Sequence, residues 1–170
     1  MCWNLMQAEG YRSERLGKTL EDARFAAANT PLVELQCDVA LSLAPFYCAS
    51  GRNYDYLILV EEQLASSSDL LPKTYLSGLL AAKGMAHFNR GEQSMAADAL
   101  RNALGLIYSV DEDGRILFAG VDQRLMALGY LSESLLILGF FDGAFETKER
   151  IFLNFYQLVD RETHRERKPA

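Results

Sequence analysis

The residues best equipped for chemistry in this 170-residue chain are two histidines, His87 and His164, three cysteines, Cys2, Cys37 and Cys48, and the acidic run Asp111-Glu112-Asp113-Gly114. Nucleophilic catalysis needs a nucleophile, a base and a group that orients the base, and two histidines separated by most of the chain do not assemble one. No Gly-x-Ser-x-Gly elbow is present. No cysteine or histidine pair has the short spacing of zinc ligands. The acidic run resembles the start of a calcium loop, but the later ligands and the terminal glutamate do not follow, so it reads as a solvated turn. His87, next to Phe88 in an apolar stretch, reads as a packing residue with a satisfied hydrogen bond. The expectation is a chain without catalysis, metal or cofactor. Cys37 and Cys48 lie eleven residues apart on what reads as one helix, and ~1.5 Å of rise per residue puts them roughly 16 Å apart, too far for a disulfide. An unpaired odd set of thiols suits a reducing, cytoplasmic setting.

Composition narrows the classes further. With 49% hydrophobic residues the chain can bury a substantial core as a single domain. Its net charge of −6 is spread along the sequence, and the basic stripe that phosphate backbones require is missing, so nucleic-acid binding by this segment is not expected. No charged-then-apolar leader opens the chain and no apolar run reaches about 18 residues, so no membrane association is expected.

The elements that would carry any site are set by small residues. Gly84, Gly91, Ala96 and Ala103 follow one another at intervals of seven, five and seven, with Phe88, Leu100 and Leu104 between them. Seven residues are about two helical turns, so Gly84 and Gly91 fall on one line of a helix, and Ala96 and Ala103 on one line of the next. Small residues on facing lines let antiparallel helices approach closely, and a glycine at the corner supplies the left-handed residue that ends the first helix. A lone hairpin cannot bury its apolar faces, so the frame should recur. In 125–156 it gives Gly139 at the corner, Ala144 five residues later, Ser132 in place of Gly84 and Ile151 in place of Ala103. In 32–66 it gives Gly51 at the corner, with Tyr56 and Gln63 where the alanines would stand.

Boundaries follow from caps and breakers. Thr30-Pro31 reads as an N-cap with proline at the first helical position. Pro45 should kink that helix or mark a restart. Ser66-Ser67-Ser68-Asp69 reads as a linker, with Pro72 near the next helix start. Residues 111–115 read as a turn, Asp122 as a cap, and 13–28 as a helix with Thr19 and Asp22 as a weak capping pair. The organisation expected is one helical-repeat domain over 1–160, with hairpins at about 31–66, 73–108 and 122–158, and a charged tail over 161–170. The apolar residues Trp3 and Met6 would form an edge able to pack on another surface.

The glycine and alanine frame with large apolar residues between resembles a tetratricopeptide repeat. Leu128-Gly129-Tyr130-Leu131-Ser132, Leu138-Gly139-Phe140 and Asp142-Gly143-Ala144, with the earlier LSLAPFYCASG, are similar to the helical-repeat region of bacterial ATPase-containing regulators and adenylyl cyclases. The glycine-rich Lys-Ser/Thr phosphate loop of an ATPase is not in this sequence. The resemblance implies an all-α fold, a right-handed α-α superhelix of about three hairpins plus an N-terminal helix. It also implies that the first helix of each hairpin lines a concave face. The inner positions would be Asp38, Leu41 and Cys48; Gly78, Ala81, Met85, Phe88 and Asn89; and Met126, Gly129, Glu133 and Leu136. Such a face is apolar with scattered acid, and lacks the set of lysines and asparagines that clamps a peptide carboxylate in some members. Met85, Phe88 and Met126 read either as core or as a groove for a partner's apolar face. The function implied is protein–protein interaction, as a scaffold, an adaptor or the sensory or oligomerising arm of a regulator, with self-association included. A small-molecule-sensing repeat domain and a chaperone for secreted proteins stand as alternatives.

Overall fold

The computed structural model describes residues 8–10, 12–67, 71–110, 117–118 and 121–165. These residues are helical almost throughout. The order is α1 (Glu14–Ala28), α2 (Val33–Ser42), α3 (Ala44–Ala49), α4 (Asn53–Ser67), α5 (Lys73–Asn89), α6 (Gln93–Val110), a two-residue antiparallel ladder of β1 (Leu117–Phe118) and β2 (Val121–Asp122), then α7 (Gln123–Ile137) and α8 (Phe141–Arg165). No helix among the described residues is long and apolar enough to cross a membrane.

Local chemistry explains the boundaries and corrects several expectations. α1 is capped by Ser13, whose Oγ accepts the Leu16 N–H at 3.2 Å. Thr19, expected to cap, sits inside the helix and donates its hydroxyl to the Arg15 carbonyl. Thr30 closes α1 through its hydroxyl to the Ala27 carbonyl at 2.9 Å, and the next helix begins only after Leu32. Pro45 produces a restart. α2 stops at Ser42, and the proline, which has no N–H to return to the preceding turn, takes an early position in α3 where none is needed. Cys37 and Cys48 therefore lie on different helices, and both thiols are free. Ser66 and Ser67 belong to α4 rather than to a linker, whereas 68–70 and the acidic turn 111–115 lie outside the described residues. Asp122 caps α7, its Oδ1 accepting from Arg124 N at 2.9 Å and Leu125 N at 3.2 Å. α8 continues to Arg165, so the first part of the charged tail is helix; 166–170 lie outside the described residues, as do Trp3 and Met6 at the other end.

Three corners share one geometry. Gly51, Gly91 and Gly139 have φ of 74°, 79° and 84°. In each, the residue after the glycine donates back over the turn: Arg52 to Tyr47, Glu92 to His87 and Phe140 to Leu135, at 2.8, 3.0 and 2.9 Å. This double-back closure satisfies the carbonyls that end a helix, and it needs a left-handed residue where the glycine stands. Five residues beyond each corner, Tyr56, Ala96 and Ala144 are buried.

α5 packs most extensively on α6, and Gly84 lets them meet: a Cβ there would fall 2.5 Å from Leu100 Cγ. α5 also separates two cores. Leu79, Ala82, Met85 and Ala86 join Leu16, Leu20, Leu43, Tyr56 and Val60 on one side. Ala81 joins Leu100, Ile107 and Leu128 on the other.

Candidate functional site: an apolar pocket across three helices

Contacts at both ends fix how the first helices of the first two pairs run. Tyr75, early in α5, donates its hydroxyl to Asp38 Oδ2 of α2 at 3.3 Å, and Asn89, at the end of α5, donates Nδ2 to Cys48 Sγ of α3 at 3.3 Å. α2–α3 and α5 are therefore parallel. Phe88 of α5 meets Tyr130 of α7 edge to face, with ring centroids 5.1 Å apart. Steps of three and four residues place side chains on one helix face. Three such lines border this side of the protein: Asp38, Leu41, Pro45 and Cys48; Ala82, Met85 and Asn89; and Gln123, Met126, Tyr130 and Glu133.

Between the lines is a half-open pocket of about 250 Å³, lined by Leu41, Ala44, Pro45, Cys48, Tyr56, Ala82, Met85, Gln123, Met126 and Tyr130. Its ionisable groups are all held neutral. Burial raises the Cys48 thiol to about 11, against a smaller opposing effect of the Asn89 hydrogen bond. Burial likewise raises Tyr130, aided by Cys48 and then Glu133, and drives Tyr56 well above its ordinary value. A thiol that far from ionisation is a poor nucleophile. No lining residue is a lysine, arginine or histidine.

The inner positions expected from the sequence distribute unevenly. Leu41, Cys48, Met85 and Met126 line the pocket. Asp38, Asn89 and Glu133 are exposed on the same three lines. Ala81 is fully buried in the second core, one position round the helix from the inner line, and this corrects its assignment to the groove; Ala82 stands there instead. Met85 is buried in the first core as well as lining the pocket, so aspartate there would test the core rather than a surface. Phe88 is half-buried against Tyr130, and Leu136 is exposed beyond the pocket. Tyr56 and Tyr130, outside the expected inner positions, also line the pocket. The signal for Tyr56 was its place in the frame, a large residue where alanine belongs.

The other chemistry-bearing residues lie apart from the pocket. His87 is buried, and its Nδ1 lies 2.6 Å from Glu92 Oε2 across the Gly91 corner, where Arg90 also pairs with Glu92. His164 belongs to α8, in a stretch of which only the backbone is described. Among the described residues no three His, Cys, Asp or Glu side chains gather as metal ligands would. A second apolar surface lies on α8, where Phe141, Phe145, Phe152 and Tyr156 recur at helical spacing and are all exposed.

No protein-family model, curated protein or solved structure matches this chain.

Proposed function

We propose that the chain is a protein-interaction module of tetratricopeptide type, with three hairpins in a right-handed superhelix after an N-terminal helix. It holds a partner protein along the face formed by α2–α3, α5 and α7. The observation that carries this reading is the identical glycine corner at Gly51, Gly91 and Gly139, joined to the parallel course of α2–α3 and α5. Repetition of one supersecondary unit aligns equivalent helix faces, and aligned faces serve binding over an extended surface. The neutral, apolar character of the pocket supports binding over catalysis, and the methionines beside it can repack around a partner's side chain. Asp38 and Glu133 give the face an acidic border, which favours a partner with basic residues beside its apolar anchor.

The test uses exposed positions that leave both cores intact. Asn89→Arg combined with Glu133→Arg should abolish partner capture from a cell extract while the far-ultraviolet circular dichroism stays as in the wild type and the thermal midpoint falls only by the loss of the Asn89–Cys48 hydrogen bond. Undiminished capture by that folded variant would overturn the reading.

A further inference from the structure

The pocket holds an observation that a protein-docking face does not use. Tyr56 reaches it from α4, is completely buried, and its hydroxyl has no hydrogen-bond partner. A buried hydroxyl without a partner is costly, and such orphans are uncommon in folded proteins. Cys48, Gln123 and Tyr130 line the same cavity, while Leu41, Ala44, Pro45, Ala82, Met85 and Met126 give it apolar walls.

We propose that this pocket is a binding site for a small, neutral, largely apolar molecule whose single acceptor oxygen takes the Tyr56 hydroxyl hydrogen bond. Three properties set that class. Volume sets the size: a dry cavity of about 150 Å³ accommodates benzene, so this one takes a body of about ten heavy atoms. Walls without a cationic side chain, beside the acidic Asp38 and Glu133, exclude a carboxylate or phosphate. The orphan donor selects an acceptor, a ketone, ether or alcohol oxygen, over a hydrocarbon of equal shape. Because the pocket opens between the three lines of the proposed docking face, a molecule seated in it lies beneath the partner and adjusts the shape the partner meets. Occupancy itself does not depend on any partner.

Three isosteric probes test this: acetophenone, isopropylbenzene and benzoate, titrated into the whole protein and followed by amide and side-chain chemical shifts. Acetophenone should perturb Cys48, Met126 and Tyr130 saturably and bind about fivefold tighter than isopropylbenzene, the contribution of one neutral hydrogen bond. Benzoate should not perturb these residues. Tyr56→Phe, which removes only the orphan oxygen, should bring acetophenone down to the level of isopropylbenzene, and Met126→Trp should block both. The proposal is overturned if acetophenone leaves the pocket unperturbed, if benzoate binds there, or if the preference for acetophenone survives in Tyr56→Phe. Since no partner is present in these titrations, their outcome is separate from that of the protein-capture test.

Discussion

Gly84 of α5 lies directly against Leu100 of α6: a Cβ on the glycine would come 2.5 Å from Leu100 Cγ, 2.8 Å from Cδ2 and 3.2 Å from the Ala96 carbonyl oxygen. Leu100 is fully buried, so it has little room to retreat. Gly84→Ala gains about 1 kcal/mol of helix propensity. It loses about 1–3 kcal/mol to overpacking, with the shortest contact placing it toward the upper end, so urea unfolding should show net destabilisation. Gly105→Ala, on the same helix pair but with nothing within 4 Å of its added carbon, should instead stabilise by up to about 1 kcal/mol.

Tyr56→Phe should raise stability. The hydroxyl is buried without a partner, so its removal relieves a penalty of about 1–3 kcal/mol. The ring, stacked 5.7 Å from that of Tyr47, stays in place. Chemical denaturation monitored by circular dichroism should move to higher denaturant; a lower midpoint would show that the hydroxyl is satisfied in solution.

The Gly91 corner should show its electrostatics at low pH. Arg90 first, then His87, holds the Glu92 carboxyl down to about 2 from an ordinary 4.5. A lowered folded-state value means the contribution is fully present above about 4.5 and disappears as pH falls through about 2. The stability difference between wild type and Glu92→Gln should therefore shrink as pH falls from about 4.5 to about 2 and vanish below it. A difference that grows on acidification would show the opposite sign of linkage.

The aromatic stripe on α8 should make the protein associate with itself. Phe145 and Phe152 are 65% and 62% exposed, and contiguous apolar surface of this kind favours contact with another surface. Phe145→Asp with Phe152→Asp should lower the mass that light scattering records at high protein concentration, and leave helix content unchanged. Equal masses for the two proteins would remove this stripe from any role in assembly.

The fold was legible where backbone chemistry dictates it. Gly51, Gly91 and Gly139, each at the end of a helix and five residues before a buried residue, all take the left-handed conformation. Pro45 and Asp122 were equally readable, because a missing N–H and a capping carboxylate act locally. Thr30 was not, since a hydroxyl after a helix can close that helix as readily as open the next, and the tertiary path of the chain decides between them. The site was legible by helix line but not by position. Ala81 and Ala82 are interchangeable in composition, and one residue is about 100° of rotation, enough to exchange the inner face for the second core. Tyr130 and Tyr56 entered the pocket through packing among α3, α4, α5 and α7, which no local pattern records.

The most direct test of the proposed docking face is site-specific photocrosslinking in cells. A benzophenone side chain at Asn89 or Glu133, both exposed on the inner lines, should capture the same discrete partner, and the same reporter at Glu62 or Arg101, exposed away from those lines, should capture none. Capture from Glu62 or Arg101 with none from Asn89 and Glu133 would contradict the account.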